Sequence, residues 1–168
     1  MKRGLVDSEY NLRREQCEQG ASLLGVSSLR EASIDMLEKA KPHMPDVVYR
    51  RAKHIITENA RTLSASTALK NGDIVTVSEA MAASHASMRD DFEITVPPID
   101  YLVKIIHSLI GNTGGVRMTG GGFGGCVVAL VPTDRVNDVK QCVADNYFNE
   151  TGYHADIYVC TATQGAFA

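Results

Sequence analysis

The sequence lacks the features that mark membrane proteins, secreted proteins and metal sites built from cysteine and histidine. No apolar run approaches the roughly 18 residues of a membrane-spanning helix, and no long apolar stretch follows the charged start, so no signal peptide is expected. The four cysteines form no Cys-x-x-Cys motif and have no histidine at metal-ligand spacing. We therefore expect no metal site in the chain, reduced thiols that are mostly buried, and a cytoplasmic protein.

Strong charge bias and low-complexity segments are also missing. The 168 residues carry a net charge of −3 with acids and bases interspersed, which predicts neither a nucleic-acid nor a membrane partner. There is no internal repeat and no linker rich in Pro, Gly or Ser. With 44% hydrophobic residues the chain can bury a core. We predict one domain over residues 1–168, with a helical segment at 1–45 and a core at 46–168.

Hydrophobic periodicity predicts helices in the first half of the chain. Ser8 is a candidate N-cap for a helix to about Leu24, and residues 26–45, which contain two prolines, are expected to form short helical turns. From residue 46 to 71 there is neither Gly nor Pro, and apolar residues recur at helical spacing. The segment 73–88 begins with strand-prone residues but continues at helical spacing, so the two segments are expected to form an antiparallel helix pair.

The second half predicts a small antiparallel sheet covered by helices. Pro97 opens a helix, strands are expected near 116–118 and at 126–131, and Thr133 or Asp134 caps another helix. A last strand is expected from about Ala155 to Cys160, and the strand at 126–131 reads as buried. The resulting order, α-β-loop-β-α-β, is an α+β fold.

The most informative segment is Met118–Cys126, which reads Met-Thr-Gly-Gly-Gly-Phe-Gly-Gly-Cys. Five glycines in the six residues 120–125 let the backbone adopt positive φ and let another molecule approach closely. Successive N–H groups in such a loop can form a concave anion site. The run therefore predicts a loop that binds phosphate.

Three known glycine-loop types do not fit the surrounding sequence. A dinucleotide-binding loop precedes a helix, whereas a strand follows here. The protein-kinase loop needs a lysine on the following strand and the His-Arg-Asp and Asp-Phe-Gly motifs, and a Walker A loop needs a Gly-Lys pair; none of these is present. A glycine-rich hairpin that binds no ligand remains an alternative.

The segment Met118–Cys126 resembles the third signature motif of the GHMP sugar and metabolite kinases, in the form found in galactokinases. Three further segments, 8–18, 57–61 and 84–93, resemble galactokinase segments in the same order, and Tyr158 to Ala166 resembles the end of such chains. The resemblance therefore covers essentially the whole sequence.

The resemblance implies a GHMP-kinase C-terminal domain with a ferredoxin-like sheet, taking part in ATP- and Mg²⁺-dependent phosphorylation of galactose to galactose 1-phosphate. It places the glycine loop beside the nucleotide phosphates, where backbone amides and one hydroxyl would contact them. The implied nucleotide-binding residues are Thr119, Gly120, Gly121, Gly122, Phe123, Gly124 and Gly125. The alternative is that these glycines mainly close an interface between two halves of the enzyme.

Only the C-terminal half of such a kinase is resembled. No segment matches the serine-rich phosphate loop of the other half, and the residues proposed there for catalysis and sugar binding have no counterpart in this sequence. The resemblance therefore implies no catalytic residue in this chain and little activity in isolation. Residues 1–45, including Tyr10 and Asn11, are expected to dock on an N-terminal half, and the exposed interface is expected to favour a homo-oligomer. A non-catalytic module that binds sugar or nucleotide, or serves assembly, is the alternative.

Several charged residues are weaker candidates for a site. Asp90 and Asp91 are adjacent and so point apart, which favours solvated or ion-paired side chains over a catalytic pair. His85 is expected to have a structural role. Arg13 and Arg14 are interpreted as charges on the surface of a helix rather than as a phosphate clamp.

Overall fold

A computed structural model describes residues 3–163 of the chain, with side chains from residue 8 onward. The helices and strands are α1 Arg3–Leu23, α2 Ile34–Ala40, α3 Asp46–Lys70, α4 Ile74–Asp90, α5 Pro97–Ile110, β1 Gly115–Thr119, β2 Cys126–Leu130 and α6 Val136–Thr151. Short 3-10 turns lie at Leu29–Glu31, Lys41–His43, Gly111–Thr113 and Thr133–Arg135. The predicted α+β class with a small antiparallel sheet is confirmed. None of the described helices has the length and apolar character needed to cross a membrane.

Local capping signals set most helix boundaries. Gly25 and Gly72 follow α1 and α3 at φ of 68° and 70°, where a residue with a Cβ would be strained. The Asp73 side chain accepts a hydrogen bond from the Thr76 N–H at 3.1 Å and so caps α4 despite the strand-prone residues that follow. The expected cap at Ser8 is wrong, because α1 begins at Arg3. Serine is tolerated inside helices, so its presence permits a helix start without requiring one.

The sheet consists of β1 and β2, paired antiparallel from Gly115 opposite Leu130 to Thr119 opposite Cys126. β1 is buried, and a Cβ on Gly115 would come within 2.5 Å of the Met81 sulfur, so glycine lets β1 lie close to α4. β2 is mostly exposed, which contradicts the predicted buried strand. An apolar run does not reveal whether a strand lies at the centre or at the edge of a sheet, and among the described residues β2 pairs only with β1.

The strand expected from Ala155 to Cys160 does not form. These residues follow the left-handed turn at Gly152 without joining the sheet, and Tyr158 is 84% exposed. The described part of the sheet therefore has two strands, fewer than a ferredoxin-like arrangement needs. Strand formation requires a paired neighbour, which propensity alone cannot supply. The resemblance at Gly165 and Ala166 lies outside the described residues.

The buried apolar residues form two main clusters. The first lies among α1, α2 and α3, with Leu37 fully buried; its members are Ala21, Leu29, Leu37, Met44, Val48, Tyr49, Ala52 and Ile56. The second joins α5, β1 and α6, and its members are Val103, Ile106, Ile110, Val116, Val139, Val143 and Tyr147. A smaller cluster of Met88, Ile94, Ile99 and Met118 lies beneath the loop that follows β1.

Between the two main clusters, the packed helices α3 and α4 bury polar side chains. We call this set the polar seam; its members are Arg51, His54, Ser78, Ser84, His85 and Ser87. His54 shares a hydrogen bond of 3.0 Å with the Ser87 hydroxyl and stacks on Phe92, with ring centroids 4.5 Å apart. Burial lowers the pKa of His54 to about 4, because a charged imidazolium is poorly solvated there.

The expectation of buried thiols is wrong for two of the four cysteines. Cys126 and Cys160 are exposed, while Cys17 and Cys142 are partly buried, and all four are free thiols. Cys126 and Cys160 lie in apolar segments, as expected for buried residues, but these segments are at the edge of the fold. Burial raises the pKa of Cys17 to about 11, so this thiol stays protonated near neutral pH.

Candidate functional site

The candidate site is the loop Gly120–Gly125, which joins β1 to β2. Its backbone has positive φ at Gly120, Gly122, Gly124 and Gly125, with values of 96°, 86°, 129° and 96°. Phe123 is the one residue of the loop with a side chain and also has positive φ, at 58°. This repeated left-handed geometry explains why the segment is nearly all glycine.

The glycines of the loop fall into two groups according to what surrounds them. A Cβ on Gly122 would lie 2.7 Å from the Cβ of Ile94 and 2.9 Å from its carbonyl oxygen, so Gly122 is required by packing against the chain itself. Gly120, Gly121 and Gly124 have no atom within 4 Å of the position that a Cβ would occupy. Gly121 also lacks positive φ, so no feature of the fold requires glycine there.

The N–H groups of the loop are also used unequally. The Phe123 N–H donates to the Ile94 carbonyl oxygen at 2.6 Å. Within the described part of the chain, the N–H groups of Gly121, Gly122 and Gly124 make no hydrogen bond to an acceptor. Gly121 is exposed while Gly122 and Gly124 are half-buried, and unpaired N–H groups in a turn of this kind can bind an oxyanion.

Phe123 anchors the loop to the body of the protein. Its ring is partly buried against the cluster of Met88, Ile94, Ile99 and Met118. The guanidinium of Arg13 lies 5.6 Å from the ring centroid, within the range of a cation–π contact. The position of the loop thus depends on α1, which is far from it in sequence.

Arg13 is buried at 8% exposure, so the interpretation of this residue as a surface charge is wrong. Its Nε donates to the Phe92 carbonyl oxygen at 2.8 Å, and a terminal nitrogen donates to the Glu93 carbonyl oxygen at 3.0 Å. Arg14, by contrast, is exposed and pairs with Glu18 at 2.9 Å, as expected for a surface charge. Adjacent helical residues face different directions, and the sequence alone does not show which of the two faces the protein.

Residues 90–94 lie next to Phe123 and are held by a cluster of basic side chains. We call them the clamped segment. Arg50 and Arg51 each bind one carboxylate oxygen of Glu93 at 2.6 Å and also donate to backbone carbonyls of the segment. Hydrogen bonds from Arg51 and Arg50 lower the pKa of Glu93. Glu93 has φ of 54°, and this unusual backbone geometry is maintained by the surrounding arginines.

The two aspartates of the clamped segment have separate partners. Asp90 lies beside Arg89, with 2.8 Å between Oδ1 and Nε, on the surface. Asp91 pairs with Lys53 at 3.0 Å and accepts a hydrogen bond from the Ser87 hydroxyl. The two carboxylates therefore do not act on a shared proton, in agreement with the expectation of ion-paired side chains.

His85 lies behind the loop and links three elements. Its Nδ1 accepts a hydrogen bond from the Met118 N–H at 3.3 Å, at the end of β1. Its Nε2 lies 3.2 Å from Oδ1 of Asp100, an electrostatic contact without good hydrogen-bond alignment. Because Nδ1 accepts, the neutral ring carries its proton on Nε2; burial lowers the pKa of His85 and favours this neutral form. These contacts support the predicted structural role.

A second polar group lies in an open groove of about 490 Å³ between α3 and α4. Glu58 accepts hydrogen bonds from the Ser84 hydroxyl at 2.6 Å and from Arg61 at 2.7 Å, while Arg117 of β1 donates to Ser84 at 3.1 Å. Burial alone would raise the pKa of Glu58, but the hydrogen bonds from Ser84 and Arg61 lower it overall. Sequence reasoning did not identify this network, although Glu58 and Arg61 lie in one of the family-like segments.

Comparison with known proteins places this geometry in a family. The model of the C-terminal region of GHMP kinases matches residues 65–149, half of the chain. Galactokinase of Haemophilus influenzae (strain PittEE) is 52% identical over 164 residues, which cover 96% of this chain and 43% of that protein. Galactokinase of Actinobacillus succinogenes is 53% identical over 169 aligned positions, covering 98% of this chain and 44% of that protein.

A solved structure agrees in fold. The crystal structure of Lactococcus lactis galactokinase complexed with galactose superposes with a TM-score of 0.83 and 33% identity, over 91% of this chain and 40% of that chain. The chain thus spans less than half the length of the galactokinases that it matches. The sequence match, the shared fold and the glycine loop together show that this chain belongs to the family of GHMP kinase C-terminal domains.

Proposed function

We propose that this chain forms the C-terminal part of a galactokinase, which transfers a phosphoryl group from ATP to galactose and yields galactose 1-phosphate. The observation that carries the proposal is the loop at residues 120–125, with three N–H donors that have no acceptor among the described residues and an open face at Gly121. Its sequence context supports the same assignment, since galactokinases share 52% and 53% identity with nearly all of the chain.

In this proposal the loop contacts the phosphates of ATP. The N–H groups of Gly121, Gly122 and Gly124 donate to phosphate oxygens, and the Thr119 hydroxyl adds a further donor. Bound ATP supplies the phosphoryl group that is transferred. Phosphoryl transfer depends mainly on positioning and on stabilising charge, so fixed backbone donors are a suitable contribution from a domain without a catalytic side chain. Phe123 and Gly122 keep the donors in place through their contacts with Ile94.

The chain does not contribute to every part of the reaction. Among the described residues, no group of three or more His, Cys, Asp or Glu side chains could hold a metal ion, and the proposal places no Mg²⁺ ligand among them. The residues that bind galactose and remove its proton are assigned to the remaining part of the enzyme. We therefore expect little or no kinase activity from the isolated chain.

The proposal is tested with a chimera in which this chain replaces the matching part of Haemophilus influenzae galactokinase. ADP release is measured with galactose, ATP and Mg²⁺ for the chimera and for the chain alone. Activity confined to the chimera supports the proposal. A folded chimera that binds ATP without releasing ADP would favour a non-catalytic binding module instead.

A single methyl group tests whether phosphate approaches the loop. In the chimera, Gly121→Ala adds a Cβ where the chain offers free space and no positive φ, so the melting temperature is expected to stay unchanged. If phosphate lies against this face, kcat/KM for ATP falls by at least about tenfold. Asn137→Ala, on the exposed side of α6, is the control and leaves both values unchanged. Full activity of Gly121→Ala would contradict phosphate contact at this position.

A further inference from the structure

His85 of α4 holds the entry to the glycine loop. Its Nδ1 accepts a hydrogen bond from the Met118 N–H at 3.3 Å, two residues before Gly120. The middle of the loop is held separately, because the Phe123 N–H donates to the Ile94 carbonyl oxygen at 2.6 Å. Gly121 and Gly122, which carry free N–H donors, lie between these two hydrogen bonds. The geometry of the donors therefore depends on both.

The hydrogen bond at the entry lies in a buried place. Met118 is 0% exposed and His85 is 5% exposed. A buried N–H without an acceptor is strongly unfavourable, so the Met118 N–H needs a partner at this depth. That partner is a side chain of α4, although β1 is paired with β2 along its length. The end of β1 thus depends on the imidazole ring as well as on the sheet.

Asp100 of α5 faces the other nitrogen of the ring. His85 Nε2 lies 3.2 Å from Asp100 Oδ1, and neither atom makes an aligned hydrogen bond to any described residue. The second carboxylate oxygen of Asp100 accepts a hydrogen bond from the Thr95 hydroxyl at 3.2 Å. A carboxylate favours the proton on the ring nitrogen that faces it. This contact leaves Nδ1 unprotonated and able to accept from Met118.

We propose that His85 is a positioning residue for the nucleotide site: it fixes Met118 and Thr119 at the end of β1 and so sets where the N–H donors of the loop meet the phosphates of ATP, while Asp100 keeps its Nδ1 free to accept. Buried as it is, His85 acts through the backbone and does not touch the nucleotide. A displacement of about 1 Å in a positioning element can lower a rate by about 100-fold. The proposal rests on the proposed function, since it requires phosphate at the loop.

Two substitutions at residue 85 separate the roles of the two ring nitrogens. In His85→Asn, Oδ1 is as many bonds from Cβ as Nδ1 is, so an acceptor for Met118 remains and the nitrogen that faces Asp100 is lost. In His85→Gln, Nε2 replaces the ring Nε2 and no atom occupies the position of Nδ1. Both variants remove the ring from the same buried site, so each is the control for the other.

ATP binding to the chimera described above is the first measurement. The Kd for ATP, determined by titration calorimetry, should rise at least about tenfold in His85→Gln and stay within about threefold of the original value in His85→Asn. The Kd for galactose should stay unchanged in both variants. A role limited to stability would weaken both ligands alike. Equal affinities for ATP in the two variants, or a parallel loss of galactose binding, would overturn the proposal.

Amide hydrogen exchange at Met118 measures the hydrogen bond itself. In the chimera without nucleotide, this amide should exchange at least about tenfold faster in His85→Gln than in His85→Asn. Equal exchange in the two variants would overturn the proposal. Faster exchange in His85→Gln with an unchanged Kd for ATP would also overturn it, because the hydrogen bond would then serve only the fold.

Two aspartates at matched places test the part assigned to Asp100. Asp100 lies in the first turn of α5, and Asp138 lies in the first turn of α6, where it pairs with Arg135 at 2.8 Å. Either carboxylate interacts favourably with the dipole of its helix, so Asp138→Ala is the control for Asp100→Ala. Only Asp100→Ala should speed exchange at Met118 and weaken ATP binding. No effect of Asp100→Ala, or an equal effect of both, would overturn the proposal.

The aspartate pair also decides the matter where the buried histidine variants do not fold, because Asp100 is 27% exposed in its side chain and is easier to replace. The proposed function fails by a different result. Full activity of Gly121→Ala in the chimera would contradict phosphate contact, whereas exchange at Met118 is measured without ATP or turnover. The two failures are therefore distinguishable.

Discussion

Arg13→Met is expected to destabilise the chain strongly, although Arg13 belongs to an Arg-Arg pair on a charged helix. Its guanidinium makes two hydrogen bonds to the carbonyl oxygens of Phe92 and Glu93, at 2.8 and 3.0 Å, in a buried position. Hydrogen bonds that involve a charged group each contribute about 1.5–3 kcal/mol, and methionine leaves both carbonyls without this donor. We therefore expect the free energy of unfolding to fall by about 3–6 kcal/mol.

Urea unfolding followed by circular dichroism measures this change. Arg14→Met is the matched control, because the neighbouring arginine has a solvent-exposed partner and its loss should leave the unfolding free energy unchanged. Amide exchange adds a local readout: Arg13→Met should speed exchange at Phe123, whose N–H bond to Ile94 depends on the clamped segment. A loss below about 1 kcal/mol, or equal losses in both variants, would refute the reasoning.

Three further predictions concern stability. The pKa of His54 lies near 4, below its ordinary 6.5. The stability that depends on the neutral ring is therefore complete above about pH 6.5 and decreases by up to about 3 kcal/mol toward about pH 4. Urea titrations across this range should show the loss in the unsubstituted chain and not in His54→Gln. Leu37→Ala, at a fully buried site, should lower the free energy of unfolding by about 2–5 kcal/mol, whereas Leu63→Ala, at a site 72% exposed, should change it by less than about 0.5 kcal/mol. Gly122→Ala should lower the melting temperature and Gly121→Ala should not, because only the first added methyl group meets Ile94.

Local signals predict much of the fold. The glycines at 25 and 72 end helices where expected, and the helix at Asp46–Lys70 matches the segment without Gly or Pro to within one residue at its end. α4 forms despite a strand-prone start, since its apolar spacing and the cap at Asp73 outweigh intrinsic propensity. These features depend on residues a few positions apart, so they are visible in the sequence.

Apart from the helix start expected at Ser8, the errors concern contacts between distant residues. Arg13 and Arg14 are identical in type, and only the packing of α1 against the clamped segment distinguishes them. The residues at Ala155–Cys160 predict a strand by their own propensity, but a strand also needs a hydrogen-bonded neighbour. The glycine loop can be located from composition, while the different roles of Gly121 and Gly122 depend on where Ile94 lies.

The polar seam between the two main apolar clusters has a consequence for the cooperativity of the fold. Helices α3 and α4 are joined by buried or half-buried polar contacts as well as by apolar residues; His54 lies 3.0 Å from the Ser87 hydroxyl, and Ser84 donates to Glu58 at 2.6 Å. Sub-global opening of the first cluster would release α1, and with it Arg13, from the clamped segment. The glycine loop would then lose the contact between Phe123 and Arg13 while β1 and β2 stayed paired. The order of the loop is therefore coupled to the folding of helices that are distant from it in sequence.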